Sequence, residues 1–213
     1  MTSITNQRPL FITGIGTGVG KTVVSAIICQ ASGAAYWKPV QTGDQHNSDT
    51  IEVSRLITNP EVQFIPERFR LKQPLSPHAA AEMEGIAINP DDFRLPEVRP
   101  LLIEGAGGVM VPLNNQGFLM SDMMKRWNVK VIIVSDTYLG SINHTLLTIE
   151  YLKQKHIEIS GVIFNNAGNI QSENVILNFS GIPCLLRIYK EQVLTPGIIA
   201  QYAGKLIINR NRE

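Results

Sequence analysis

Residues 9–25 read Pro9-Leu10-Phe11-Ile12-Thr13-Gly14-Ile15-Gly16-Thr17-Gly18-Val19-Gly20-Lys21-Thr22-Val23-Val24-Ser25, and this stretch decides the fold. An apolar run reads as a strand, a glycine-rich turn follows, and Gly-Lys-Thr opens an apolar-periodic segment that reads as a helix. Strand, glycine loop and helix in that order describe a phosphate-binding loop. Glycines let consecutive backbone N–H groups turn inward and approach phosphate oxygens. The helix adds unpaired N–H groups and a partial positive charge. Lys21 can reach the β- and γ-phosphates, and the Thr22 hydroxyl can hold Mg²⁺. The usual spacing places a glycine where this chain has Ile15, and Gly14 stands one position early. The offset predicts a variant phosphate loop; the competing reading is a strand-to-helix turn that binds nothing.

Beyond this stretch, short apolar runs alternate with amphipathic ones. Ala34–Lys38, Leu101–Ile103, Val129–Val134, Ile159–Phe164 and Ile182–Ile188 read as strands. Ile142–Lys155 places Ile142, Leu146, Ile149 and Leu152 at helical spacing, and Val24, Ile27, Ile28 and Ala31 repeat it in the first helix. The expectation is an α/β fold, a mostly parallel sheet with helices on both faces, as one domain over residues 1–213. Residues 59–100 carry seven prolines (60, 66, 74, 77, 90, 96 and 100) and read as an excursion with one short helix near Pro77–Glu84.

Composition narrows the function. The 213 residues are 44% hydrophobic and 17% charged, with a formal net charge of +1. That balance favours neither nucleic acid nor an anionic membrane. No apolar run approaches the ~20 residues of a bilayer span, and residues 1–8 hold no apolar signal core. A soluble, cytoplasmic protein is expected, with Cys29 and Cys184 as free thiols in apolar contexts. His46, His78, His144 and His156 have no metal-ligand spacing, and no Ser-His-Asp or Cys-His arrangement is legible.

In such a sheet, ligand residues gather at the carboxyl ends of the strands. Glu104 closes the run Leu101–Ile103 and precedes Gly105-Ala106-Gly107-Gly108, where a metal-binding carboxylate belongs; it can also cap a turn. Asp49, in Asn47-Ser48-Asp49-Thr50, is a second metal carboxylate or a helix N-cap. Lys38 ends a strand and is a fixed cation in the site or a solvated lysine. Thr42-Gly43 can offer a hydroxyl. Leu139-Gly140-Ser141-Ile142-Asn143-His144 opens a helix whose first turn suits a carboxylate, with Ser141 as N-cap the competing view. Asn165-Asn166 follows a strand and can read a purine base, or form a turn with Ala167-Gly168.

In order, Thr13–Gly14 through Val19–Thr22, Lys38-Pro39-Val40 with Thr42-Gly43, Asn47–Asp49, Ser76-Pro77-His78, Glu104–Gly108, Leu139–His144 and Gly161–Asn165 resemble the dethiobiotin synthetase family. The likeness spans residues 13 to about 166 and is specific as an ordered set. It implies a P-loop NTPase-like fold and an ATP- and Mg²⁺-dependent ligase. The implied substrates are 7,8-diaminopelargonate, CO₂ and ATP, joined through a carbamate and a carbamic–phosphoric anhydride into the ureido ring. By the same resemblance, Gly18, Val19, Gly20, Lys21, Thr22, Val23, Asp49, Glu104, Gly105, Ala106, Gly107, Asn165 and Asn166 bind ATP. Thr22, Asp49 and Glu104 hold the metal. Lys38 and Lys21 are catalytic. Thr17, Lys38, Thr42, Gly107, Leu139 and Asn143 bind the diamine substrate, the last two beside a homodimer interface. Gly16 and Gly18 stand where the family often has acids, Asn166 where aspartate is frequent, and Arg187-Ile188-Tyr189-Lys190-Glu191 replaces a Gly-x-Ile-Pro-like turn.

A switch-type P-loop ATPase of the cell-division-site or chromosome-partition kind is the alternative. Such proteins carry an extra lysine early in the loop, whereas residues 14–16 are Gly-Ile-Gly, and no basic or amphipathic tail follows Ile207. A cobalamin-type amide synthase needs a glutaminase domain, for which 213 residues leave no room.

Overall fold

A computed structural model describes residues 8–207; the readings of residues 1–7 and of 208–213 lie outside them. Seven strands form the main sheet, all paired in parallel. In chain order these are β1 (Leu10–Gly14), β2 (Ala35–Trp37), β4 (Phe64–Ile65), β6 (Leu101–Gly108), β7 (Lys130–Asp136), β8 (Ile159–Asn165) and β9 (Cys184–Arg187). Their spatial order is β4-β2-β6-β1-β7-β8-β9. The helices are α1 (Lys21–Ser32), α2 (Asp49–Leu56), α3 (Pro77–Met83), α4 (Met120–Arg126), α5 (Ser141–Gln154), α6 (Ile170–Ser180) and α7 (Pro196–Lys205).

Alternation along each strand divides the core. Phe11, Ile103 and Ile133 point to one face, where they meet Ala80 of α3, Met123 of α4, Ile149 of α5 and Ile176 of α6. Ile12, Leu102 and Ile132 point to the other, against Val24 and Ile27 of α1, Val53 of α2 and Ile199 of α7. Each of the larger buried side chains (Phe, Leu, Ile, Val, Met) stabilises the fold by about 1.5–3 kcal/mol. The chain is therefore a P-loop NTPase-like α/β fold with helices on both faces, as expected.

This arrangement also places a crevice. β1 sends its chain to α1 on one face, whereas its neighbour β6 sends its chain to α4 on the other. The connections diverge between β1 and β6, and ligands in open α/β sheets bind at such a point.

Residues 59–100 hold more than the one helix expected. β4 extends the main sheet at its edge, and β5 (Phe69–Leu71) pairs with β3 (Val40–Thr42) in a separate two-stranded sheet. Short strands broken by prolines give little periodicity to read. The strand expected at Leu101–Ile103 continues through the glycines to Gly108, which pairs with Gly14. The packing of α5 also departs from expectation. Ile149 and Leu152 are buried, but Ser141, Thr145 and Thr148 fill the rest of that face, and Ile142 and Leu146 are only partly covered. The polar residues tolerate the core because Thr145 bonds Ser135 and the Ser141 carbonyl, and Thr148 bonds the His144 carbonyl.

Candidate active site

The chain from Gly14 to Gly20 lies against the glycine end of β6. A Cβ on Gly108 would stand 3.2 Å from the Gly14 carbonyl oxygen. A Cβ on Gly14 itself would meet Val19 Cγ2 at 2.5 Å, so the one-position offset in the motif reflects a close approach that only glycine allows. Gly20 precedes α1 with φ 91°, in the left-handed region, and no side chain caps the helix. The amides of the first turn are thus left to a ligand. Thr17 and Gly18 form the exposed tip of the loop. Lys21 is buried and bends back to donate to the Gly16 carbonyl at 3.2 Å. Burial draws its pKa down; the charge of Glu104 opposes that shift and Lys38 adds to it.

Four side chains converge beside the loop. Thr22 Oγ1 donates to Asp49 Oδ1 at 2.8 Å and approaches Glu104 Oε1 at 3.3 Å. Lys38 Nζ pairs with Asp49 Oδ2 and with Glu104 Oε1, the latter at 3.1 Å. Glu104 is 1% exposed and Lys38 4%. Glu104 lies within β6 and caps no turn, and Lys38 is no solvated lysine. Ser48, not Asp49, is the N-cap of α2: its hydroxyl accepts from Ile51 N–H, which leaves the Asp49 carboxylate at the first helical position free to face Thr22. Burial works to lower the Lys38 pKa, but Glu104 and Asp49 override it and hold the ammonium above its ordinary value. Burial also works to raise the Asp49 pKa, and Lys38, Thr22 and Lys21 hold it below its ordinary value.

A hydroxyl and two carboxylates are hard oxygen donors, a set that fits Mg²⁺ held with phosphates and water better than a metal caged by protein alone. Among the described residues no group of three or more His, Cys, Asp or Glu forms such a cage.

The walls come from two loops. Gln41 is buried; its Nε2 donates to the Thr42 and Gly43 carbonyls at 3.3 Å each, and its Oε1 accepts from the Asp49 N–H at 3.4 Å. It joins the Thr42 loop to the helix that holds Asp49. Across the crevice, an ideal Cβ on Gly107 lies 3.6 Å from Thr17 Oγ1, so these two residues are neighbours. On the β8 side, Asn165 Nδ2 donates to the Val19 carbonyl at 3.2 Å, which ties that strand tip to the phosphate loop. Asn166 has φ 48° and donates to Asp136 Oδ1 at 2.8 Å. Leu139 and Asn143 stand apart from the carboxylate cluster. They line a cavity of about 750 Å³ with Thr137, Tyr138, Ile142 and Leu146. Gly140, at φ 99°, caps α5, and Ser141 is its buried first residue, so Ser141 is not the N-cap.

Three residues of the site escape sequence reasoning: Ser25, Tyr36 and Gln41. Two left a periodic signal. Ser25 follows Thr22 by three positions on one helix, and Tyr36 precedes Lys38 by two along the same strand direction. Their partner, Glu104, lies 79 and 68 positions away, and no local pattern reports that.

Residues 8–197 match the AAA domain family. The ATP-dependent dethiobiotin synthetase of Cytophaga hutchinsonii is 45% identical over 206 residues, 95% of this chain and 98% of that protein. That of Christiangramia forsetii is 45% identical, covering 93% and 95%. The enzyme so named from Rhodopseudomonas palustris is 43% identical, covering 85% of each. Among solved structures, the septum site-determining protein MinD of Pyrococcus horikoshii, complexed with Mg-ADP, superposes with TM-score 0.56 at 16% identity over 93% of each chain. A ParA family ATPase from Chlorobium tepidum superposes with TM-score 0.52 at 13% identity, covering 94% of this chain and all of that one. At such identity these two likenesses are of fold alone.

Proposed function

The chain belongs to the AAA-domain ATP-dependent dethiobiotin synthetase family, and from that premise we propose that it closes the ureido ring of dethiobiotin on 7,8-diaminopelargonate, using CO₂ and ATP. One amine of the substrate adds to CO₂ and loses a proton, giving a carbamate. A carbamate oxygen attacks the γ-phosphorus and displaces ADP, giving a carbamic–phosphoric anhydride. The second amine attacks the carbonyl carbon, loses a proton and expels phosphate.

Each step needs alignment and charge neutralisation more than covalent chemistry from the protein. The amides of Gly18, Val19 and Gly20, with those of the first turn of α1 at Lys21, Thr22 and Val23, receive the phosphates, and Lys21 adds its charge. Thr22, Asp49 and Glu104 would hold Mg²⁺, which offsets phosphate charge when bound. Lys38 steadies the anionic carbamate. Its pairing with two carboxylates keeps it protonated for that task. Thr42 bonds the diamine end, Thr17 and the backbone of Gly105, Ala106 and Gly107 line the reacting centre, and Asn165 with Asn166 faces the base.

We assign the cavity at Leu139 and Asn143 to the substrate's distant carboxylate, and the surface around it to a homodimer contact. Leu139, just before α5, and Leu147, midway along it, are exposed, and Ile142 and Leu146 of the same helix are half-covered. Residues 1–213 act as one domain, which the single main sheet supports. The free thiols Cys29 and Cys184 suit a reducing cytoplasm, and no helix among the described residues is long and apolar enough to cross a membrane.

One observation supports this reading above the rest: Thr22, Lys38, Asp49 and Glu104, from distant parts of the chain, meet directly beside the phosphate loop. Mixing protein with diaminopelargonate, bicarbonate, Mg²⁺ and ATP should release ADP only when the diamine is present. ADP release indifferent to the diamine would count against the ligase and for a simple ATPase.

A further inference from the structure

Glu104 has four polar side-chain neighbours, two at each oxygen, and the two pairs differ in kind. Oε2 accepts from Ser25 Oγ at 2.7 Å and from Tyr36 OH at 2.9 Å. Oε1 accepts from Lys38 Nζ and stands 3.3 Å from Thr22 Oγ1, whose proton goes to Asp49. Ser25, on α1, and Tyr36, on β2, are both fully buried. They approach the carboxylate from two different elements. Each carboxylate oxygen offers about two lone-pair sites, so Oε2 is saturated by neutral hydroxyls. Turning the carboxylate out of this plane would strand two buried hydroxyls.

The geometry points to Ser25 and Tyr36 as positioning residues that clamp Glu104, so that Oε1 alone faces Thr22 and serves as a single-oxygen ligand for a divalent cation. This rests on the reading of Glu104 as a metal carboxylate. Partners of this kind, one bond behind a ligand, orient it and typically alter metal affinity 10–100-fold when removed. A carboxylate freed to rotate can also offer both oxygens, which suits larger ions with looser geometry than Mg²⁺.

Ser25→Ala, Tyr36→Phe and the double variant test it, with Glu104→Gln alongside. Calorimetry would record the Mg²⁺ concentration giving half-maximal ADP binding, repeated with Ca²⁺; turnover would give kcat and the diamine KM; melting would be followed without metal. Each single variant should raise the Mg²⁺ midpoint about 3–10-fold and the double variant about 10–100-fold. The Ca²⁺ midpoint should move less, and kcat should fall while the diamine KM holds. A purely structural role would lower the melting temperature and leave the Mg²⁺ midpoint in place. If Glu104→Gln shifts the midpoint and the double variant stays within twofold of wild type, the clamp is refuted and the metal reading stands. If Glu104→Gln leaves it unmoved, both fall. Tyr36→Phe removes one oxygen and keeps the ring against Phe64, so it decides the matter alone if the Ser25 variant does not fold.

Discussion

Replacing Lys38 by methionine removes a buried cation and keeps most of its volume. Oxygens of Asp49 and Glu104 lie 2.8 and 3.3 Å from Thr22 Oγ1, so the two charges approach to within about 6 Å. At an effective dielectric of about 20 they repel by about 3 kcal/mol once the lysine is gone. That is in line with the ~3–5 kcal/mol typical of breaking a buried ion pair. In a chain of this size the loss corresponds to a fall in melting temperature of about 6–12 °C. Wild-type Asp49 has a depressed pKa, so its contribution is complete above the ordinary carboxylate range and fades as pH falls through the folded value. In Lys38→Met the largest opposing influence, burial, is left to raise that pKa, and the variant should gain stability as pH falls from 7 towards 5. Mg²⁺ should likewise restore part of the loss, because it supplies positive charge to the same two carboxylates. Thermal melts at pH 8, 7, 6 and 5, with and without Mg²⁺, would read all three effects. A metal-free variant melting within 2 °C of wild type at pH 7, or a loss indifferent to both pH and Mg²⁺, would refute the reasoning.

Lys21→Ala should reduce turnover by about 100- to 1000-fold through lost phosphate charge compensation; near-normal steady-state rates would remove Lys21 from the reaction. Asp49→Asn should raise the Mg²⁺ needed for half-maximal activity about tenfold or more, read from a metal titration at fixed ATP. Leu147→Asp places a charge on the exposed apolar surface in the first half of α5 and should shift sedimentation towards monomer. An unchanged sedimentation profile would move the dimer contact elsewhere.

Much of the site was readable because its chemistry is local. Gly20-Lys21-Thr22 at a strand-to-helix junction, Glu104 after a short apolar run and before glycines, and Asp49 at the start of a helix each announce themselves within a few residues. The main strands were readable for the same reason: buried parallel strands are short apolar runs. What stayed hidden depends on distant partners. The small β3–β5 sheet is built from two three-residue strands, too short for a period to register. The buried face of α5 is wider than its apolar period indicates, because Thr145 and Thr148 satisfy their hydroxyls on neighbouring carbonyls and so join the core.

From its order of residues alone, this protein was bound to an α/β sheet with a phosphate loop at the tip of its first strand, since periodicity and turn chemistry act over a few positions. Only the tertiary structure decided that Lys38 lies buried between two carboxylates and that Ser25 and Tyr36 close on one oxygen of Glu104. Those outcomes follow from strand order, which brings β2, β6 and α1 side by side from positions up to 79 residues apart. Electrostatic and hydrogen-bond energies act through space, and nothing in the local sequence encodes which distant partner will arrive.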